Sequence, residues 1–180
     1  INLPFQAGDD EVLTKMRRGY TNDDYRRLVD KIRTRIPSAS ISTDLIVGFC
    51  GETDAQFQRT LDLVRDIRFD KVHAAAYSTR QGTIADRQMV DDVSKDDKNE
   101  RLKAVEELQT NIQTEINSRL EYQTFEVLLE GVKRGMKYGR NRNDKLIYID
   151  DSQDDIGEMV DVKIERTGPW SLNGTLVSAA

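Results

Sequence analysis

A change of hydrophobic period near residue 120 limits what this chain can fold into more than any other feature of its sequence. Before that point, β-branched apolar runs alternate with stretches of 3.6-residue period; after it, apolar and polar residues alternate one by one. Thr21-Asn22-Asp23-Asp24 fits a helix-opening capping box, and Tyr25, Leu28, Val29, Ile32 and Ile36 keep the helical period until Pro37 stops it. Ile41 to Val47, ending at Gly48, reads as a buried strand. Thr53 to Gln56 opens a second helix that carries Phe57, Leu61, Val64 and Ile67 on one face. Val72 to Tyr77 is a short Ala-rich strand, and Ser94 to Asp97 caps a third helix with a stripe from Leu102 to Leu120. This alternation predicts an α/β region with parallel strands and right-handed crossovers.

Past residue 120 the spacing predicts strands at Thr124–Leu129, Lys145–Ile149, Met159–Ile164 and Ser171–Val177, separated by glycines. Short strands, Gly-rich turns and no helix signal predict a small antiparallel β-barrel. The expected division is therefore 1–120 and 121–180, with a hinge near Leu120–Gln123.

Composition removes several classes. The chain has 180 residues, 37% hydrophobic and 33% charged, with a net charge of −5. No apolar run reaches the about 18 residues a membrane helix needs, and no leader is read at the start, so a cytoplasmic protein is expected. One cysteine, Cys50, and one histidine, His73, cannot by themselves form an internal disulfide or a cysteine or histidine metal cage. The opening Ile1-Asn2-Leu3 reads as part of something longer. Net acidity argues against indiscriminate nucleic-acid binding, yet Lys133, Arg134, Lys137, Arg140, Arg142 and Lys145 face a single acid, Asp144, across residues 132–145. That run is either a solvated face or a phosphate-contacting stripe.

In parallel α/β layouts, ligands gather at the carboxyl ends of strands. Three such ends are expected: Leu3–Asp10, Gly48–Thr53 and Tyr77–Thr83, each combining glycine with polar groups. Each also has a plain structural reading, as a turn glycine or as an acid pairing with a helix dipole. Asp44 is less ordinary, because an acid in a buried strand is costly unless paired or functional. His73 is expected to be a satisfied core residue, and Cys50 inert packing.

The residue strings carry a resemblance as well. Leu3-Pro4-Phe5-Gln6-Ala7-Gly8-Asp9 with Met16-Arg17-Arg18-Gly19-Tyr20-Thr21, then Ser42-Thr43-Asp44-Leu45-Ile46-Val47-Gly48-Phe49-Cys50-Gly51-Glu52-Thr53, then Ala76-Tyr77-Ser78-Thr79-Arg80-Gln81-Gly82-Thr83, resemble in order and spacing the radical S-adenosylmethionine methylthiotransferases. Residues 124–174 are similar to that family's TRAM barrel, an RNA-binding module. The Arg-Gly-Tyr-Thr and Ser-Thr-Asp strings look more like the tRNA branch than the ribosomal-protein aspartate branch. The resemblance implies the second half of a radical-SAM (β/α) barrel followed by TRAM. Two 4Fe–4S clusters of the intact enzyme would be held by ligands outside this chain, so the fragment alone would be inactive. It implies S-adenosylmethionine contacts from Gln6, Gly8, Thr43, Asp44, Gly48, Gly51, Glu52, Tyr77 and Ser78. It implies tRNA contacts from Arg80, Lys133, Arg134, Lys137, Arg140 and Arg142, with Tyr138 or Trp170 stacking a base; Trp170 could instead close the barrel. No residue of the fragment is expected to be catalytic. Ala7 stands where the family has serine, and Cys50, Thr79 and Ile84 where it has proline. The other expectations are an RNA-binding module without catalysis, and a truncated barrel whose open edge pairs with a second copy.

Overall fold

The computed structural model describes residues 1–150 and 156–177. Its elements are α1 (Asp10–Lys15), α2 (Asn22–Arg35), β1 (Ser42–Val47), α3 (Asp54–Ile67), β2 (Lys71–Ala76), α4 (Ile84–Gln88), α5 (Lys95–Ser118), β3 (Thr124–Lys133), β4 (Met136–Asn141), β5 (Leu146–Ile149), β6 (Met159–Thr167) and β7 (Leu172–Leu176). They form two compact units, Ile1–Ile112 and Gln113–Ala180.

In the first unit both expected capping boxes close. Thr21 Oγ1 accepts from the Asp24 amide while Asp24 accepts from the Thr21 backbone, and Thr53 and Gln56 do the same for α3. Hydrogen bonds from the Thr21 backbone and hydroxyl, then from Arg27, hold the Asp24 carboxyl at about 2, so the box stays charged in mild acid. Strands β1 and β2 pair in parallel from Ser42↔Lys71 to Val47↔Ala76. The opening segment adds single bridges, Asn2↔Ser42 and Gln6↔Leu45. Phe5 stacks on Phe69 at 5.6 Å and meets the edge of Tyr25 at 5.7 Å, anchoring α2 to the core.

Two expectations about this sheet are corrected. Strand β1 is not buried on both sides: Thr43, Leu45 and Val47 are buried, whereas Ser42, Asp44 and Ile46 are half-buried. His73 is exposed rather than a core histidine, because it lies on the open side of β2 with Ala75. The short helices α1 and α4 carry no periodic sequence signal, since each holds only one or two turns.

The second unit is a closed barrel in the order β3-β4-β5-β7-β6. Val127, Leu129, Ile147, Ile149, Val162, Ile164 and Leu172 fill it, and Leu120, Phe125, Val160 and Leu176 pack against that centre. It is not wholly antiparallel, since β5 and β7 run parallel from Ile147↔Leu172 to Ile149↔Gly174. Strand β4 lies inside the basic run, where charge and Gly139 mask its alternation. Arg134 and Gly135, both left-handed (φ 53° and 81°), make the two-residue turn from β3 into β4.

Candidate functional site

Strand β1 ends at Gly48, whose φ of +69° is left-handed. A Cβ there would lie 2.4 Å from Lys98 Cγ, so the lysine stem rests directly on the glycine. The Lys98 ammonium sits 5.4 Å from the Tyr77 ring centre and bonds Asp91 Oδ1 at 2.5 Å. One turn along α5, Arg101 donates to Glu52 Oε2 at 2.9 Å and to Asp54 Oδ1 at 2.8 Å. The same Glu52 oxygen accepts the Gly48 amide at 2.6 Å, and the Gly51 amide donates to Asp92 at 2.6 Å. Burial pushes the Glu52 carboxyl up from its ordinary value; the Gly48 amide and the Arg101 guanidinium pull it back only in part. The loop after β1 is thus held by Lys98 and Arg101 of α5 and, through the Gly51 amide, by Asp92.

Above that frame, at the carboxyl ends of β1 and β2, opens a cleft of about 460 Å³, a size suited to a nucleoside-sized ligand. Phe49 and Tyr77 form one wall, edge to face at 4.8 Å. Burial first, and then the neighbouring Cys50, raise the Tyr77 phenol above its ordinary value. Gln6 reaches the cleft from a left-handed backbone, φ 69°, a conformation costly for a residue with a side chain. Ser78 and Arg80 border it from the loop after β2.

Of the residues expected from sequence, the structure brings Gln6, Tyr77, Ser78 and Arg80 together on this cleft. Asp44 lies on the cleft face of β1, two residues before Ile46, and accepts from Asn2 Nδ2 at 2.9 Å. Thr43 points to the buried face, where its hydroxyl accepts from the Phe5 amide and donates to the Leu3 carbonyl. Gly8 packs on α3, its amide donating to Thr60 Oγ1 at 2.9 Å. Gly51 and Glu52 border a second hollow of about 370 Å³ with Asp54, Asp92, Asp97 and Arg101. Gly48 supports the frame rather than lining either hollow.

Sequence reasoning missed Phe49, Lys98 and Arg101, and missed Lys15, Arg17 and Arg18 on the cleft rim. The one available signal was a pair of cations three apart in the first turns of α5, where the helix dipole favours acids instead.

On the barrel, Arg140 pairs with Glu130 and Asp144, and Arg142 with Glu126 at 2.6 Å. Lys133 and Arg134 project into solvent at the β3–β4 turn, with Lys137 half-buried beside them. Tyr138 lies across from Tyr148, ring centres 6.2 Å apart. Trp170 is 55% exposed and does not close the barrel; Asn117 Nδ2 holds its loop through the Gly168 carbonyl at 2.7 Å. Among the described residues, no group of three or more His, Cys, Asp or Glu side chains is placed to hold a metal. Among the described residues, then, no such group fits an iron–sulfur cluster. No described helix is long and apolar enough to cross a membrane.

Residues 1–64 match the radical SAM superfamily, and residues 118–177 match the TRAM domain. The chain thus carries a radical SAM region followed by a TRAM domain. Three relatives, each named tRNA-2-methylthio-N(6)-dimethylallyladenosine synthase, are similar to this chain along nearly its whole length. The one from Roseiflexus sp. (strain RS-1) is 49% identical over 98% of the chain and 38% of the relative. The one from Herpetosiphon aurantiacus is 46% identical over 98% and 41%, and the one from Dehalococcoides mccartyi (strain CBDB1) 44% over 99% and 43%. The chain thus spans about two fifths of the length of the curated relatives it matches. A solved multidomain protein with nucleic acid binding domains from Streptococcus pneumoniae overlaps 36% of this chain and 25% of its own, at 17% identity and a TM-score of 0.30, too little to bear on the fold.

Proposed function

We propose that this chain is the carboxyl-terminal part of a radical S-adenosylmethionine methylthiotransferase that adds a methylthio group at carbon 2 of dimethylallyladenosine beside the tRNA anticodon. The observation that carries this reading is the cleft at the tips of β1 and β2, in a chain whose 44–49% identical relatives bear that enzyme's name. In this reading the first unit is the latter part of a (β/α) barrel, residues 1–120 and 121–180 are the functional domains, and the protein works in the cytoplasm.

When bound to a reduced cluster, S-adenosylmethionine would supply a 5′-deoxyadenosyl radical, and in this reading the cluster's ligands lie outside this chain. Its residues hold and shield. Phe49 and Tyr77 offer an apolar wall that excludes water from a reactive radical, while Gln6 and Ser78 offer polar groups that orient the ligand. Asp44 stands within reach of the same face, and Glu52 acts through Gly48, whose amide it holds. Lys133, Arg134 and the exposed Trp170 are the barrel's RNA-contacting groups, Trp170 through base stacking. Lys137 and Tyr138 flank them, whereas Arg140 and Arg142 must exchange their carboxylate partners to reach RNA.

The complete gene product, reconstituted with iron and sulfide and reduced, is expected to convert tRNA bearing dimethylallyladenosine to the 2-methylthio form, with 5′-deoxyadenosine released. The 180-residue chain alone is expected to bind the anticodon stem-loop and form no product. A fully loaded enzyme that modifies a ribosomal protein and leaves that tRNA untouched would overturn the reading.

A further inference from the structure

The rim of the cleft carries four cations: Lys15, Arg17 and Arg18 at the end of α1, and Arg80 after β2. None of them forms an ion pair among the described residues. Elsewhere in the same unit several arginines are matched with acids, as in Arg26–Asp66, Arg27–Asp24, Arg65–Asp62 and Arg101–Glu52, while Arg33 and Arg87 donate to backbone carbonyls. In a chain of net charge −5, four unmatched cations around one opening create a local positive field that draws an anion to it. Arg17 is also held left-handed, φ 59°, where a residue after a helix is ordinarily glycine or asparagine. A single carboxylate needs one such cation. Four spread along a rim suit a polyanion, and arginine forks match phosphate oxygens in pairs.

We infer that Lys15, Arg17, Arg18 and Arg80 form a second RNA-contacting surface, separate from the TRAM barrel, that grips phosphodiester groups flanking the nucleotide presented to the cleft. This rests on the function proposed above and adds where the first unit itself holds RNA. The barrel then supplies affinity, and the rim sets which nucleotide enters.

The test uses the complete gene product and an anticodon stem-loop, with binding measured across salt concentration. Each lost phosphate contact to a single strand lowers the salt slope by about 0.7, so Arg17→Gln/Arg18→Gln is expected to lower it by about 1.4. S-adenosylmethionine affinity should not change. Both side chains are exposed, so the unfolding midpoint should hold; if it does not, Lys15→Gln/Arg80→Gln is expected to give the same slope change. An Arg134→Gln change in the barrel should add independently. An unchanged slope overturns the inference, and so does weakened S-adenosylmethionine binding with the slope intact, which would assign the rim to the cofactor carboxylate. In either case wild-type binding and modification leave the proposed function standing. Wild-type protein that ignores the stem-loop overturns both.

Discussion

Arg101→Ala is expected to destabilise the first unit by about 3–5 kcal/mol, the usual consequence of stranding one member of a buried ion pair. The side chains of Arg101 and Glu52 are 8% and 1% exposed, and Glu52 Oε1 already lacks a hydrogen-bond partner. Without the guanidinium, Glu52 keeps only the Gly48 amide to offset desolvation. The pH dependence has a definite sign. A carboxyl raised by burial favours the folded state most when protonated and costs stability as pH rises through its folded value. The variant's deficit should therefore shrink as pH falls. Glu52→Gln/Arg101→Leu should recover much of the loss, since an uncharged pair of similar volume leaves no buried charge. Denaturant unfolding at several pH values measures all three. A loss below about 1 kcal/mol at neutral pH would show that the pair does not hold the loop.

A comparable loss is expected in the barrel from Gly139→Ala, about 3 kcal/mol or more. The added Cβ would lie 2.1 Å from the Leu128 carbonyl oxygen and 2.7 Å from Val127 Cγ1. Overpacking in a core usually costs about 1–3 kcal/mol because side chains can shift. Here the obstacle is backbone, and β3 is pinned on both sides by β4 and β6, so a closed barrel has no free edge to yield. Gly135→Asn is the matched control: it lies in the turn with nothing within 4 Å of a Cβ, and asparagine tolerates its left-handed φ. It should stay within about 0.5 kcal/mol of wild type. Equal stability of the two variants in urea unfolding would refute the tight β3–β4 approach.

Most of the element order was legible because each signal was local. The capping boxes at Thr21 and Thr53, Pro37 after α2, and the period change near residue 120 state their structure within a few residues. Strand β4 escaped because its alternation runs through Gly139 and a cluster of charges, so only the pairing partners reveal it. His73 escaped because period and burial are different facts; a strand flanked by alanines can still face outward. The site divides the same way. Gln6, Tyr77, Ser78 and Arg80 sit at strand tips, where chain position alone forecasts exposure to a ligand. Thr43 and Asp44 are adjacent in sequence yet face opposite sides of one strand, and a motif cannot say which side is open. Lys98 and Arg101 act on residues roughly 50 positions away, a relation set only by how α5 comes to lie against the loop after β1.

In the proposed function the cleft beside Phe49 and Tyr77 receives the cofactor and the target nucleotide. A photoreactive S-adenosylmethionine analogue, bound to the complete gene product holding its clusters and then irradiated, tests this by the peptides it labels. Within this chain, labels are expected at residues 46–49 and 75–80, and excess unlabelled S-adenosylmethionine should abolish them. Labels confined to residues 124–177, or to the hollow beside Asp92 and Asp97, would place the cofactor elsewhere.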